Sequence, residues 1–363
     1  MPNGPNDAMD TGGLKRALVI KLRHHGDVLL ASPVFSVLKK HAPGVEIDAL
    51  IYADTRDMLA FHPAIAQIHA VDRTWKQAGL TDRMKEEWAL YASLRARRYD
   101  LVVHLSEHPR GAWLSRTLKP RYAVAPDYRD KGRFWKRSFS HRFSMPFNPR
   151  RPMAEWNLDA LRRLGIQPAE DERKLVLVPG EAAERETDKL LADAGVSARS
   201  FVHIHPGSRW QFKCWPAERT AALIDALALR GERVVLTAAP DPDEQSLIAA
   251  ILSRTKAIPV DFSGKLSLKS LAALTARARL FVGVDSAPMH IAAAMGTPVV
   301  ALFGPSGESE WGPWRVPHRV VSSDRHPCRP CGQAGCGGSR VSDCLATLPV
   351  QSVLEAVAAL LPR

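Results

Sequence analysis

Residues 282–305, VGVDSAPMHIAAAMGTPVVALFGP, constrain the fold more than any other stretch of this chain. A short apolar strand over Leu280–Val284 runs into Asp285-Ser286-Ala287-Pro288. An Ala-rich helix follows and closes at Gly296, and a second strand spans Thr297–Phe303. Two apolar runs joined by a short helix form a parallel βαβ unit. Ser286 suits the helix N-cap, Pro288 the first turn and Gly296 the C′ position. The unpaired N–H groups and dipole of that helix start, placed at the carboxyl end of a strand, make an anion site. A phosphate-bearing ligand is expected there.

The rest of the chain alternates strand and helix, which argues for parallel α/β architecture. In the first half, RALVIKL (Arg16–Leu22) reads as a strand and Ser32-Pro33 opens a helix through Lys40. Pro43-Gly44 stops that helix, Val45–Ile51 is a second strand, and Tyr99–Leu105 is another after a Trp88–Arg98 helix. A helix over Met153–Leu164 ends at Gly165, and charge and Pro gather over 167–174, where a domain boundary is expected. A second series begins with the strand FVHIH (Phe201–His205) and the loop PGSRWQFKCWP. It continues with a helix Ala217–Leu229, a strand Arg233–Thr237, a helix Asp243–Ser253 and a helix Leu268–Arg277 before the βαβ unit, and closes with a helix Val350–Leu361. Two Rossmann-like halves facing a cleft are the architecture this implies.

With 363 residues, 45% of them hydrophobic, the chain can bury the cores of two ordinary domains. Its start, MPNGPNDAMDTGG, lacks a basic region followed by an apolar core, and Gly and Pro break the longest apolar stretches well short of the roughly 20 residues a membrane span requires. No secretion or membrane-spanning segment is therefore expected. The formal charge of +12 is concentrated: Arg110 to Arg151 holds twelve Lys or Arg against Asp127 and Asp130, interleaved with Trp113, Tyr122, Tyr128, Phe134, Trp135, Phe139 and Phe143. Such a segment is either a solvated basic face or a surface for an acidic partner: a phosphorylated glycan, an anionic membrane or a nucleic acid. No G-x-G-x-x-G follows the first strand, which disfavours a NAD-dependent dehydrogenase.

Four pieces carry a family resemblance: VIKLRHHGDVLLASPV near the start, HIHPGSRWQFKCWP and GVDSAPMHIAAAMGTPVVALFGP in the second half, and the tail CRPCGQAGCGG. In that order they resemble the family 9 glycosyltransferases, the ADP-heptose lipopolysaccharide heptosyltransferases of Gram-negative bacteria, and most closely the heptosyltransferase III branch. The resemblance implies a GT-B fold, α/β with two Rossmann-like domains facing a central cleft and a C-terminal helix packing back on the N-terminal domain. The expected divisions are a flexible extension over 1–13, an acceptor-binding domain over 14–168, an ADP-heptose-binding domain over 169–348 and a C-terminal helix over 349–363. The expected reaction is metal-independent, inverting transfer of heptose from ADP-L-glycero-D-manno-heptose to an inner-core heptose. No cofactor is expected beyond the donor substrate.

Such a transfer needs a base for the acceptor hydroxyl and positive charge for the departing diphosphate. Asp27, after Gly26 at the carboxyl end of the first strand, is either a helix cap or that base, and the resemblance puts the family's proposed base at this Gly-Asp pair. Arg23 and His24 flank it and are assigned to the donor. Lys213 and Ser208, in the loop after Phe201–His205, are assigned to the diphosphate. Trp215 reads as core. Ser286 and Ala287 would bind phosphate through N–H groups, and the resemblance places Asp285 near the donor sugar and His290 beside the phosphates. His290 reads equally as a satisfied core histidine. Asp243, or alternatively Glu244, would read the ribose.

Asp241-Pro242-Asp243 also spells D-x-D, a metal signature in other glycosyltransferases. These acids open a helix, where they serve in any case, and no metal is assigned. Cys328, Cys331, Cys336 and Cys344 form C-x2-C-x4-C-x7-C. This could hold zinc but lacks the paired C-x2-C spacing of a zinc ribbon, and free thiols are the other reading. The resemblance gives the basic segment a partner, the anionic lipopolysaccharide core at the inner-membrane surface. Lys131, Arg133, Lys136 and Arg137 are its acceptor-binding candidates, and the implied location is cytoplasmic, peripheral on the inner membrane. A nucleotide-sugar epimerase of the same fold and a nucleic-acid-binding protein stay as alternatives.

Overall fold

The computed structural model describes residues 7–144 and 151–361. Residues 1–6 of the expected extension, 145–150 of the basic segment and 362–363 of the expected C-terminal helix lie outside the described residues. The chain divides into two compact units, 1–177 and 178–363.

Among the described residues, the first unit holds six parallel strands: β1 (Arg16–Ile20), β2 (Glu46–Tyr52), β3 (Gln67–Val71), β4 (Leu101–His104), β5 (Tyr122–Asp127) and β6 (His141–Ser144). Their order is β3-β2-β1-β4-β5-β6. β1 and β4 are continuous apolar runs because helices cover both faces of a parallel sheet, and their residues are buried from Ala17 to Ile20 and from Leu101 to His104. The chain leaves β1 in one direction and β4 in the other, so their carboxyl ends open a crevice.

The second unit repeats this plan with β7 (Phe201–His205), β8 (Arg233–Leu236), β9 (Val260–Asp261), β10 (Leu280–Val284), β11 (Val299–Phe303) and β12 (His318–Ser322). Its order is β12-β11-β10-β7-β8-β9, again all parallel. The crevice lies between β7 and β10, where Gly283 is in register with His205. The helix Ala287–Ala294 begins after N-cap Ser286 and ends at Met295. Gly296 follows at φ +71°, a left-handed conformation that a side chain would strain.

The last helix, Val350–Leu360, packs within the second unit. Val353, Leu354, Ala356 and Val357 are buried in the core of the second unit, with helix Ala217–Leu229 and strands β11 and β12 as neighbours. Its one apolar face is satisfied there. From Asp7 onward, residues of the expected extension have partners in the first unit. Arg163 clamps the Asp7 carboxylate at 2.7 and 2.8 Å, Met9 N–H donates to the Leu164 carbonyl at 2.9 Å, and the Met9 side chain is buried. A bidentate ion pair and a buried thioether outweigh the local Gly and Pro content.

Candidate active site

In the second unit, the loops leaving β7 and β10 meet at the crevice. Pro206-Gly207-Ser208 follows β7, and a single 3-10 turn, Gln211–Lys213, then aims the lysine across it. Lys213 Nζ lies 2.6 Å from Asp285 Oδ2, just past the end of β10. Asp285 is almost buried and Lys213 about a quarter exposed. No side chain caps the helix that starts at Ala287, since the Ser286 hydroxyl turns back and donates to the Val284 carbonyl at 3.3 Å. An ammonium, a carboxylate and an uncapped helix N-terminus therefore share one crevice. Such a combination has the chemistry to hold a diphosphate and to pair with a neighbouring hydroxyl.

A buried polar relay supports that loop from below. His203 Nε2 and His205 Nδ1 lie 2.7 and 2.9 Å from the Thr237 hydroxyl, and His203 Nδ1 lies 3.1 Å from that of Thr275. His205 Nε2 then lies 3.5 Å from Glu244 Oε2, which accepts the Ala239 N–H at 2.8 Å. Burial alone would raise the Glu244 carboxyl pKa, but its hydrogen bonds outweigh burial and hold it below the ordinary range. This carboxylate sits so close to Gly207 that a Cβ there would collide with it.

In the first unit, Asp27 lies in the one-and-a-half-turn helix His25–Leu29 that follows β1. Its side chain is 12% exposed, and Oδ1 is 3.6 Å from Arg23 Nε. Asp27 lines a small cavity with Lys21, Arg23, Ser106, Glu107, Trp156 and Asn157 among its walls. Lys21 is buried, donating to the Leu105 carbonyl at 2.9 Å and to Asn157 Oδ1 at 3.0 Å. Burial pulls its ammonium pKa down to about 8 against the opposing pull of Asp27. The Ser106 hydroxyl and the Trp156 indole N–H are buried with no hydrogen-bond partner. A cavity offering a carboxylate and unsatisfied polar atoms is one that a sugar hydroxyl would complete.

A second cavity of about 340 Å³ adjoins it, sharing Arg23 and Glu107. His24, Tyr52, Arg73 and Lys131 contribute to its wall. The Arg73 guanidinium lies 3.6 Å over the Tyr52 ring and donates to the Arg23 carbonyl at 3.2 Å. The result is a basic recess beside the carboxylate.

Comparison with known proteins then decides the family. The sequence profile of glycosyltransferase family 9 (heptosyltransferase) matches residues 87–340. The chain is 37% identical over 295 residues to lipopolysaccharide heptosyltransferase 3 of Escherichia coli, covering 81% of this chain and 84% of that one. It belongs to glycosyltransferase family 9. Among solved structures, the family 9 glycosyltransferase of Veillonella parvula is similar at a TM-score of 0.82 and 23% identity, covering 98% of this chain and 99% of that one. The E. coli ADP-heptose lipopolysaccharide heptosyltransferase II is similar at 0.73 and 22%, covering 95% and 98%. The GT-B α/β fold is thereby shown.

Within this heptosyltransferase, Lys213, Asp285, Ser286 and Ala287 come together at the second crevice. Ser208 is buried in the same loop, with its hydroxyl accepting the Trp210 N–H at 3.3 Å. His290 is buried in the second turn of the helix. Trp215 is buried and donates from Nε1 to the Leu348 carbonyl at 3.2 Å, as a core residue does. Asp243 is exposed on the helix Pro242–Leu252, while its neighbour Glu244 turns inward to Gly207. Asp241, the first acid of D-x-D, caps that helix by accepting the Asp243 N–H at 3.0 Å and the Glu244 N–H at 3.4 Å. Arg23 and His24 line the first unit's cavities together with Lys131. Arg133, Lys136 and Arg137 are exposed on or next to the short helix Arg133–Lys136.

Sequence reasoning passed over Lys21, Arg73, Ser106 and the His203–Thr237–His205 relay. The relay did leave a signal: two histidines at i and i+2 on one face of an otherwise apolar strand need buried partners. The five cysteines are free thiols. Among the described residues, no group of three or more His, Cys, Asp or Glu is arranged to hold a metal. The cysteine-bearing tail instead braces the Lys213 loop, with the Ser342 hydroxyl donating to the Phe212 carbonyl at 2.7 Å.

Proposed function

We propose that this heptosyltransferase moves heptose from ADP-L-glycero-D-manno-heptose to a heptose hydroxyl of the lipopolysaccharide inner core, with inversion at the transferred carbon. The observation that carries the reading is the Lys213–Asp285 pair at the start of the helix Ala287–Ala294. The 37% identity to an enzyme named lipopolysaccharide heptosyltransferase 3 supports the substrate class.

The acceptor hydroxyl attacks the anomeric carbon of the donor, forming the new C–O bond while the bond to the diphosphate oxygen breaks. Asp27 accepts the hydroxyl proton during the attack, a role that fits a recessed carboxylate. The negative charge that grows on the departing ADP is met by the Lys213 ammonium, the Ser208 hydroxyl and the N–H groups of Ser286 and Ala287. Asp285 accepts from a sugar hydroxyl while holding Lys213 in place, and His290 packs behind the phosphates. Glu244, rather than the exposed Asp243, is the acid positioned at the phosphate loop to read the ribose. Asp241 is already engaged as a cap, so diphosphate charge is assigned to the lysine and the helix without a metal. Lys131 lines the recess that receives the anionic acceptor, with Arg133, Lys136 and Arg137 farther along the same basic segment, and Arg23 and His24, assigned from the sequence to the donor, share that recess with Lys131.

The test is to incubate the protein with ADP-heptose and a truncated core acceptor, read the product mass, and determine the new anomeric configuration by NMR. A gain of one heptose with inverted configuration is expected. No gain in mass, protection from unfolding by UDP but not ADP, or salt-sensitive DNA binding unaffected by nucleotide would each overturn the reading.

A further inference from the structure

Strand β7 carries His203 and His205 two residues apart, on one face, and both side chains are buried. The direction of each hydrogen bond along this face can be fixed from its far end. The Thr275 hydroxyl lies 2.6 Å from the Leu271 carbonyl one turn back on its helix, and in that pair only the hydroxyl can donate. Its oxygen therefore accepts from His203 Nδ1–H at 3.1 Å. Burial holds His203 neutral, so its Nε2 has no hydrogen and accepts from the Thr237 hydroxyl at 2.7 Å. Thr237 then has no second hydrogen to give. His205 Nδ1 consequently donates to the Thr237 oxygen at 2.9 Å.

The chain ends where His205 Nε2 faces Glu244 Oε2 at 3.5 Å, with both side chains buried. Two lone pairs facing each other away from water are costly, so a proton lies between them. The carboxylate is the weaker claimant to it. Burial pushes the Glu244 carboxyl up, but hydrogen bonds from His205 and from the Ala239 N–H, at 2.8 Å, outweigh burial and hold it below the ordinary range. The other titratable groups nearby stay uncharged: His203 as above, and the Cys214 thiol, which burial, with a further push from Glu244, raises to about 11. The carboxylate takes its counter-charge from His205. Gly207 of the diphosphate loop lies directly against this pair.

We propose that this one-way chain keeps a proton on His205, making it a buried imidazolium that clamps Glu244 Oε2 and leaves the second carboxylate oxygen to accept from the ribose of the bound nucleotide. His205 is a positioning residue that acts through Glu244, and its role rests on Glu244 reading the ribose. Protein labelled with nitrogen-15 in histidine is examined by long-range proton–nitrogen NMR, with His205 assigned by its absence from His205→Asn. At neutral pH His205 is expected to carry hydrogens on both ring nitrogens and His203 on Nδ1 alone. Thr275→Val removes the acceptor of His203 Nδ1–H and lets the chain reverse, so His205 should keep a hydrogen on Nε2 alone. His205→Asn places an amide where Nδ1 stands but has no atom at Nε2. The parent is expected to bind ADP about tenfold more tightly than its 2′-deoxy or 3′-deoxy analogue, and in His205→Asn this preference should fall to about threefold or less. A singly protonated His205 in the parent, a doubly protonated one in Thr275→Val, or an undiminished preference for ADP in His205→Asn would each overturn the proposal. The parent spectrum decides the protonation by itself should Thr275→Val not fold. If the parent fails to distinguish ADP from either analogue while His205 is doubly protonated, the ribose assignment falls and the imidazolium stands.

Discussion

Asp27 and Lys213 play opposite electrostatic parts, and substitution should separate them. Asp27→Asn keeps the shape of the cavity but removes the proton acceptor. Its kcat should fall by about 10²–10⁴-fold while ADP affinity, read by calorimetry, stays within twofold of the parent. Turnover like the parent's would remove Asp27 from its role. Lys213→Ala deletes the cation and leaves the nearly buried Asp285 carboxylate without its 2.6 Å partner. A charge-assisted hydrogen bond of this kind contributes roughly 1.5–3 kcal/mol, so ADP should bind about ten- to a hundredfold more weakly. Unchanged nucleotide affinity would count against it. Both residues stand out in the sequence because each follows an apolar strand in a short polar loop. The choice between Asp243 and Glu244 could not be made there. It depends on which way one turn of helix faces, and the cap from Asp241 sets that.

The element that carries most of the site is the loop from β7, and its tolerance depends on Gly207. A Cβ at this position would strike the Glu244 carboxylate, which is held in turn by the Ala239 N–H and His205. Gly207→Ala should therefore cost about 1–3 kcal/mol of stability and shrink the thermal shift that ADP produces. Combining it with Glu244→Ala removes the colliding atoms. If the collision is the cause, the double variant will lose less stability than the sum of the two single ones. Additive losses would refute the steric account. Elements with a strong apolar run were legible in the sequence, among them the helix Leu268–Arg277 and the strand Leu280–Val284, whose limits coincide with those observed. Those inside the basic stretch were not. Strands β5 and β6 lie there as runs of six and four residues among arginines, Arg142 standing inside β6 itself, and charge hid their short apolar faces. The helix expected from Trp88 begins at Leu80; its first two turns are polar apart from the exposed Leu80 and Met84, so no buried apolar face marked them in the sequence.

At the scale of the whole molecule, both units bury neutral histidines, so acid should weaken both together. Burial lowers the pKa of His62 to about 4 and of His104 to about 3 in the first unit, and that of His203 in the second well below the usual value. Above pH 6.5 these side chains are neutral in the folded and unfolded chain alike, and they add no pH dependence. Between 6.5 and about 4 the unfolded chain takes up protons that the folded one refuses, so stability falls as pH falls. From pH 7 to pH 5 each histidine should remove up to about 2 kcal/mol, an upper limit that assumes the unfolded imidazole titrates normally. Urea unfolding at the two pH values measures the total. In His62→Gln the loss between pH 7 and pH 5 should be smaller than in the parent by about 1–2 kcal/mol, whatever its stability at pH 7. The amide can still accept the Ala64 N–H that His62 Nδ1 accepts at 3.2 Å, so the comparison isolates protonation from packing. An equal pH dependence in parent and variant would show that His62 titrates alike in both states and that burial does not govern the acid limb.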